Sequence, residues 1–234
     1  MVTFKKKAPG PQNAALERPL PEPGRMDAAL TDALMKRRTA YDFSDEPISD
    51  EHLSTILWAA DGLNGKTHRD DHRTTPTALN WREIETYVVK ANGVWLWNPL
   101  SCSLVFVHDH DRRRDMCLLQ PLVRQAPVHL VYVFNKEKTQ GFATDLAHSI
   151  VKYTKSERIA TLAEEVSERS PLIDTGAKVM AVYLACAALG INCMARQTFE
   201  SARVSKALLL KDAQTPICIQ TLGYKPRGIL DLAF

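Results

Sequence analysis

Two arginines and a threonine follow one another at Arg37, Arg38 and Thr39, at the end of a stretch with helical periodicity. A guanidinium group is a planar fork of N–H donors that stays charged at any working pH and matches the oxygens of a phosphate. Arginines at the end of a helix also complement its dipole. The segment is therefore a candidate phosphate contact, with an ordinary helix end as the alternative.

The stretch from Arg73 to Glu83 is the second place where residue types suggest chemistry. Pro76 fixes one backbone angle and pushes Thr75 into an extended conformation. The loop also carries donors and acceptors on Thr74, Thr77 and Asn80. A rigid polar loop before a strand can hold the edge of a flat heteroaromatic ligand, and the alternative is a threonine-capped turn.

Histidine and aspartate alternate from His108 to Asp111, and His68 and His72 stand four positions apart. Neither group gains a third ligand at a regular spacing, so we predict polar turns and no metal site. No Gly-x-Gly-x-x-Gly motif follows a strand and no P-loop is present, which leaves a Rossmann nicotinamide site unsupported.

Four motifs, in order, resemble those of the nitroreductase family of flavin enzymes, in the branch close to the SagB-type dehydrogenases. Pro76–Trp81 resembles the family's Pro-Ser-Ala-x-Asn-Trp-Gln loop, and Arg37–Thr39 resembles its Arg-Arg-Ser motif. The run Asp174–Gly190 is similar to the long central helix, and Gln220–Lys225 is similar to the last strand. The order and spacing agree over Met26–Arg227.

The resemblance implies an FMN cofactor whose phosphate and ribityl chain contact Arg37, Arg38 and Thr39, with Lys225 and Arg227 as a second basic pair. The alternative for that second pair is a charged C-terminal segment. The loop residues implied at the flavin are Pro76, Thr77, Ala78, Leu79, Asn80 and Arg82.

The segment Ala195, Arg196 and Gln197 is implied to lie at flavin N5, the atom that exchanges hydride, with the backbone of Arg196 and Gln197 near it. No side chain is implied as catalytic. The resemblance also implies that Arg196 places positive charge near the ring, and the alternative is an ion pair with a surface carboxylate.

Three departures from the family pattern bear on the substrate pocket. Arg82 stands where glutamine is usual, and Thr77 replaces serine but keeps the hydroxyl. Met180 and Ala181 stand where close relatives carry Gln-Asn, which removes polar groups from the central helix.

Our first functional hypothesis is an FMN-dependent oxidoreductase that passes hydride from NAD(P)H through flavin N5 to a nitroaromatic, quinone or similar acceptor. Donor and acceptor would use one pocket in turn, which predicts a ping-pong mechanism. The alternatives are a SagB-like dehydrogenase of heterocycles in peptides, and a flavin-binding or redox-sensing protein without turnover.

Composition limits the classes of protein to be considered. The chain has 234 residues, 45% of them hydrophobic, which suits one sizeable core. The net charge of +3 is spread out and favours no nucleic-acid partner. Five cysteines without a C-x-x-C pair fit a reducing compartment, and we see neither a membrane-spanning apolar run nor a signal peptide. We therefore expect a cytoplasmic protein.

We expect an extended arm over residues 1–25 and a single domain over residues 26–234. The helical predictions are Met26–Arg38, a helix capped by Ser49 and ended by Gly62, Phe142–Glu168 with a break near Thr154–Ser156, Ala177–Leu189 and Glu200–Leu210. The strand predictions are Glu85–Lys90, Val94–Trp97, Leu104–His108, Pro127–Phe134, Ile191–Thr198 and Pro216–Tyr224.

This irregular mixture of helices and strands indicates an α+β fold. Asn92-Gly93 predicts a hairpin turn, Asn64–His72 a polar loop, and the pair Trp95 and Trp97 core positions. The resemblance implies a central, mostly antiparallel sheet flanked by helices. It also implies an intertwined homodimer in which the C-terminal strand is exchanged. The apolar helix Ala177–Leu189 fits such a dimer, because one chain of this size would struggle to bury it on every side.

Overall fold

The computed structural model describes residues 16–66, 71–118, 123, 126–139 and 157–226. Within them, seven strands form one antiparallel sheet in the order β1-β6-β5-β4-β7-β9-β8, while β2 and β3 form a separate pair. Helices pack on both faces of the large sheet. The α+β class and the antiparallel sheet flanked by helices are thereby confirmed.

The strands are β1 (Glu17–Pro19), β2 (Leu63–Lys66), β3 (Asp71–Arg73), β4 (Ile84–Lys90), β5 (Gly93–Asn98), β6 (Ser103–His108), β7 (Val128–Asn135), β8 (Ile191–Arg196) and β9 (Gln214–Tyr224). The helices in the described part are α1 (Leu30–Lys36), α2 (Asp50–Asp61), α3 (Glu157–Leu189) and α4 (Ser201–Leu208). Short 3₁₀ turns occur at Ala78–Asn80, Arg113–Met116 and Lys136–Thr139.

The inner strands agree with their hydrophobic patterns. The apolar strand β7 lies between β4 and β9, so both of its edges are hydrogen-bonded and its side chains are almost all buried. The β4–β5 hairpin forms where Asn92-Gly93 predicted one, but its two loop residues are Ala91 and Asn92. Gly93 is the first residue of β5, pairs with Lys90 and has φ +127°. A side chain at Gly93 would also collide with the carbonyl oxygen of His108, so glycine is required there. Trp95 and Trp97 are core residues as predicted.

The sheet separates two hydrophobic cores. One core lies between the sheet and the helices α2 and α3, and includes Ile56 and Val182. The other lies between the sheet and α4, and includes Met194 and Val204. Because successive side chains of a strand point to opposite faces, neighbours such as Cys193 and Met194 on β8 belong to different cores.

Helix α2 begins as its sequence predicts. The Ser49 side chain accepts a hydrogen bond from the His52 N–H at 3.2 Å, and Asp50 and Glu51 occupy the first turn. Gly62 ends the helix in an extended rather than a left-handed conformation, and a side chain there would collide with Trp58.

Helix α3 packs against α2, β8 and the sheet face, but it is buried on one side only within the chain. Val182 and Cys186 are inaccessible, whereas Met180 is 40% exposed and Ile173 is 68% exposed. The part Glu168–Leu189 is long and apolar enough to cross a membrane, contrary to our prediction that no such run exists. Its buried Asp174 and Lys178 contact groups of this domain, as expected of a core helix.

Four predictions of local structure were wrong. Residues Glu17–Pro19 of the supposed irregular arm pair with β6, and Leu20 is buried behind them. Part of the supposed polar loop Asn64–His72 belongs to the β2–β3 pair. Both pairings rely on main-chain hydrogen bonds, which leave little trace in a hydrophobic pattern. Helix α1 is shorter than predicted, because Ala29 is extended and offers no side-chain cap. Helix α3 is continuous from Glu157 to Leu189, whereas two separate helices, Phe142–Glu168 and Ala177–Leu189, were predicted. The start of the first of them, with its break at Thr154–Ser156, lies outside the described residues.

Candidate functional site

The basic segment, which we define as Lys36–Thr39, follows directly from the end of α1. The Arg38 side chain turns back and donates to the carbonyl oxygens of Met35 and Arg37, both at 2.8 Å. It therefore closes the helix end, the ordinary role considered for it. The Arg37 guanidinium lies 5.5 Å from the centroid of the Tyr183 ring on α3, within the range of a cation–π interaction.

The fold brings the two predicted basic clusters to one place. Arg38 and Lys225 line the same cavity of about 220 Å³, together with Lys36 and the C-terminal end of α3. Thr39 and Lys225 line a neighbouring, more open cavity of about 370 Å³. Arg227 lies outside the described residues.

Tyr183 connects the basic segment to strand β8. Its hydroxyl oxygen accepts a hydrogen bond from the Ala195 N–H at 2.8 Å and lies 3.3 Å from Thr39 Oγ1. This tyrosine was not among the predicted site residues. The signal that could have found it is a hydroxyl group within an otherwise apolar helical stretch.

A third cavity, of about 360 Å³, opens between α3 and the end of β8. Its lining is mostly apolar or small, and comprises Leu172, Thr175, Gly176, Val179, Ala195, Arg196, Gln197, Ile217 and Cys218. The predicted segment Ala195–Gln197 is thus at a cavity wall. The basic cavity is lined by Ile191–Cys193 of the same strand, so the two cavities follow one another along β8.

The expected position of the Arg196 guanidinium was wrong. Because Ala195 faces α3, strand alternation turns the Arg196 side chain to the opposite face of the sheet. There it is buried and donates to the Thr221 hydroxyl and to the Met116 carbonyl oxygen, and it lies 3.4 Å from Cys117 Sγ. Within the described residues it makes no ion pair with a surface carboxylate, so the alternative was wrong as well.

The loop Pro76–Glu83 has an unusual backbone. Leu79, Asn80 and Arg82 all adopt positive φ angles, of 47°, 57° and 54°. Thr77 holds the ends together, because its Oγ1 accepts the Arg82 N–H and donates to Glu83 Oε2, each at 3.0 Å.

The side chains of Arg82 and Asn80 are engaged within the same region. Arg82 Nε donates to Asn80 Oδ1 at 3.0 Å, and Arg82 Nη2 donates to the Asp71 carbonyl oxygen on β3 at 2.7 Å. The predicted ring-contact residues therefore form one connected unit in which Leu79 projects outward, 53% exposed.

Two carboxyl groups lie beneath this loop. Asp174 on α3 accepts the Ala78 N–H at 2.8 Å, and Glu83 is completely buried. Burial, reinforced by the neighbouring Asp174, raises the pKa of Glu83 to about 7. Neither carboxyl group was among the predicted site residues.

A buried ion pair adjoins the two carboxyl groups. Lys178 Nζ lies 2.8 Å from Asp61 Oδ2, with side chains only 4% and 15% exposed. Burial lowers the pKa of Lys178, and Asp61 opposes that shift. Arg73 Nη1 donates to the Asp61 carbonyl oxygen at 3.0 Å. A lysine inside an apolar helical stretch is the sequence feature that could have indicated a buried charge here, although it does not identify the partner.

Helix α3 is the common support of all three segments. Asp174 holds the loop, Thr175 and Val179 line the apolar cavity, and Tyr183 contacts the basic segment. From Asp174 to Tyr183 the helix advances by about 14 Å. The predicted residues thus converge on one helix, the one whose sequence is similar to the family's long central helix.

The histidines have other surroundings. His108 Nε2 donates to the Ala207 carbonyl oxygen at 2.8 Å, on the α4 side of the sheet. Across the described part of the chain, no group of three or more potential metal ligands comes together. His68 lies outside it.

Comparison with known proteins gives a consistent result. The sequence profile described as the Nitroreductase family matches residues 34–224. A Methanocaldococcus jannaschii protein, provisionally named a nitroreductase, is 24% identical over 205 residues, which cover 84% of this chain and 91% of that protein.

Solved structures show the same fold. A provisionally named nitroreductase from Ralstonia eutropha superposes with a TM-score of 0.75 at 23% identity, covering 97% of this chain and 98% of its own. A chain of the Escherichia coli microcin synthetase complex, determined with a truncated precursor bound, superposes with a TM-score of 0.59 at 17% identity, covering 82% and 70%.

Proposed function

Because this chain belongs to the nitroreductase family, we propose that it is an oxidoreductase that binds FMN along α3 and β8. Arg38, Thr39 and Lys225 would hold the phosphate. The loop Pro76–Arg82 and the backbone of Ala195–Gln197 would hold the ring.

One observation carries this proposal: the order of the two cavities along β8. The first has the cationic side chains of Arg38 and Lys225 at its wall, and the second has apolar groups such as Val179 and Ile217. FMN has a phosphate at one end and a flat ring system at the other, so its parts match the two cavities in sequence. Charged forks suit the phosphate, and apolar walls suit the ring.

When bound, FMN would supply the chemistry at N5, taking hydride from NAD(P)H and giving it to a nitroaromatic, quinone or similar acceptor in a second half-reaction. The chain's own residues bind and orient. Tyr183 fixes the main chain of Ala195 relative to Thr39, so the two halves of the site keep one spacing. The loop is held from below by Asp174, which leaves Leu79 free to cover a ligand.

We further propose that the protein acts as a homodimer. Helices α1 and α3 pack together, and both expose large apolar side chains, namely Leu30, Leu34, Met35, Ile173 and Met180. Exposed apolar surface that is contiguous marks an interface, and two packed helices that both expose such side chains support one here. Light scattering should report a dimer that Met180→Glu weakens. Leu209→Glu, at an equally apolar exposed position after α4, should leave the dimer intact.

The test of the cofactor is the visible spectrum of the purified protein. We expect a yellow protein that releases FMN on heating, and loss of the flavin absorbance when NADPH or NADH is added without oxygen. Recovery of the absorbance on adding a quinone completes the cycle. Finding only FAD, or no flavin after reconstitution with FMN, would overturn the proposal.

The likeness to a chain of the microcin synthetase complex favours a second candidate, a dehydrogenase of heterocycles in peptides. That complex has a truncated precursor bound, and the open cavity beside Gln197 leaves room for an extended substrate. Presenting the FMN-loaded protein with a thiazoline-containing peptide separates the candidates. Bleaching by the peptide but not by a nicotinamide would favour the second.

A further inference from the structure

The loop Pro76–Glu83 is held in a conformation that its residues do not favour. Leu79, Asn80 and Arg82 lie in the left-handed region, which side chains other than glycine populate rarely. Such residues persist only when the surroundings fix them. The loop must therefore be held by groups outside its own backbone.

Both external anchors are carboxyl groups. Glu83 Oε2 accepts the Thr77 hydroxyl at 3.0 Å, and Asp174 Oδ2 accepts the Ala78 N–H at 2.8 Å. The second oxygen of Glu83, Oε1, is buried without a hydrogen-bond partner among the described groups. A buried carboxylate oxygen without a donor is costly, whereas a protonated carboxyl group has a donor of its own.

The cations near Glu83 are engaged with other groups. The charged side chains that line the small cavity beside Glu83 come from α2, α3 and the loop, and are Asp61, Asp174, Lys178 and Arg82. Arg73 on β3 lies near Lys178 and donates to the Asp61 carbonyl oxygen. Asp61 is paired with Lys178. The Arg82 guanidinium donates hydrogen bonds to Asn80 Oδ1 and to the Asp71 carbonyl oxygen. A charged Glu83 would add a second buried negative charge beside Asp174.

We propose that Glu83 carries a proton and donates it from Oε1 to Asp174, and that this carboxyl pair is the positioning element that sets the loop Pro76–Arg82 at the ligand site. The proton lets two acidic groups occupy adjacent buried positions. Each can then hold its own loop contact, Thr77 for Glu83 and Ala78 for Asp174. That the positioned ligand is a flavin rests on the proposed function.

The pair makes the loop sensitive to pH. The pKa of Glu83 is raised from its ordinary value of 4.5 to about 7, so the folded protein binds this proton more tightly than the unfolded chain does. Its contribution to stability is full below pH 4.5 and is lost as the pH rises to about 7. Above that pH the two carboxylates repel one another, and the loop loses an anchor.

The experiment compares Glu83→Gln, which keeps a neutral group of the same shape, with the wild type. The melting temperature of flavin-free protein is measured from pH 5 to pH 9. We expect the melting temperature of the wild type to fall as the pH rises and Glu83 loses its proton. The melting temperature of Glu83→Gln should lack this fall. Glu85→Gln is the matched control, because Glu85 is a partly buried carboxylate on β4 paired with Lys138 at 2.8 Å. It should keep the wild-type profile.

Asp174→Asn is the second variant. Removing the negative neighbour should move the transition to lower pH, because one of the causes that raise the Glu83 pKa is gone. Infrared difference spectra of the wild type provide a readout that needs no stable variant. A protonated carboxyl carbonyl stretch should be present at pH 6 and disappear by pH 9.

FMN titration distinguishes this inference from the proposed function. The dissociation constant of the wild type should rise above pH 7, by at most about tenfold per pH unit for one linked proton, while that of Glu83→Gln should follow only the titration of FMN itself. The carboxyl pair is overturned, even if FMN binds, by either of two results. One is that the melting temperatures of wild type and Glu83→Gln depend on pH in the same way, and the other is that the infrared carboxyl signal is missing at pH 6. The expected melting profiles without any FMN binding would instead overturn the cofactor and leave the pair standing.

Discussion

The loop Pro76–Glu83 and the basic segment Lys36–Thr39 border the same site but are built in opposite ways. The loop's polar groups are bonded to one another and to the buried carboxyl groups of Glu83 and Asp174. The basic segment carries exposed side chains beside a cavity, and Arg38 donates to main-chain oxygens at the end of α1. One region has a shape fixed by buried contacts, and the other offers charge to a ligand.

This difference separates the expected effects of mutation. A substitution beneath the loop should change the stability of the protein first, because it leaves buried charges without partners. A substitution in the basic segment should change binding and leave the fold alone. Helix α3 contacts both regions, but through different residues, Asp174 for the loop and Tyr183 for the basic segment.

The largest effect is expected for Lys178→Met, which removes the cation from beneath the loop. Asp61 would remain largely buried without its ammonium partner, and breaking one side of a buried pair costs about 3–5 kcal/mol. Urea unfolding of flavin-free protein at pH 7 measures the loss. Lys206→Met, at an exposed position in the last turn of α4, is the control and should change the stability little. Equal stabilities of the two variants would show that the charges beneath the loop are not what holds it.

The fold was predictable wherever a pattern of side chains reports burial. The strand β7 and the Ser49 cap are local signals, and the structure has both. The Asn92-Gly93 signal located its hairpin to within one residue. Strand β1 was not predicted, because its pairing with β6 depends on main-chain groups and on the position of β6 at the edge of the sheet. The pair β2–β3 was missed because its pairing also depends on main-chain groups.

The candidate site was predictable where its residues belong to a recognisable sequence motif. Arg38 and Lys225 were expected at one place, and the fold brings them to one cavity. The Lys178–Asp61 pair could not be derived, because the partner of a buried charge is set by tertiary packing between α2 and α3. The direction of Arg196 could have been derived, since alternation along β8 puts it opposite to Ala195.

A smaller effect, on binding alone, is expected for Arg38→Ala. Loss of a charged hydrogen bond to the phosphate should weaken FMN binding by about 1.5–3 kcal/mol, which is about tenfold or more in the dissociation constant. At saturating FMN the turnover should be nearly normal, because an interaction that is the same throughout the reaction does not lower its barrier. Fluorescence titration with FMN measures the first quantity, and steady-state kinetics the second.

Arg203→Ala is the matched control for Arg38→Ala. Arg203 is also exposed and also donates to a main-chain oxygen, that of Arg114, but it lies on the α4 side of the sheet. It should leave FMN affinity unchanged. If both variants lose FMN to the same extent, the loss reflects general charge and not a phosphate contact at Arg38.

The smallest effect on affinity is expected for Arg82→Gln, which restores the residue usual in the family. The loop should persist, because Thr77 and Asp174 still hold it, and the glutamine amide can still donate to the Asp71 carbonyl oxygen. FMN affinity should stay within a few-fold of the wild type. The reduction potential of the bound flavin should nevertheless fall, because a cation beside the ring favours the more negative, reduced form. Potentiometry on Arg82→Gln and Arg38→Ala, both saturated with FMN, measures the difference. If Arg82→Gln loses FMN while Arg38→Ala keeps it, the loop and the basic segment have exchanged roles, and the loop cannot be the ring-binding region.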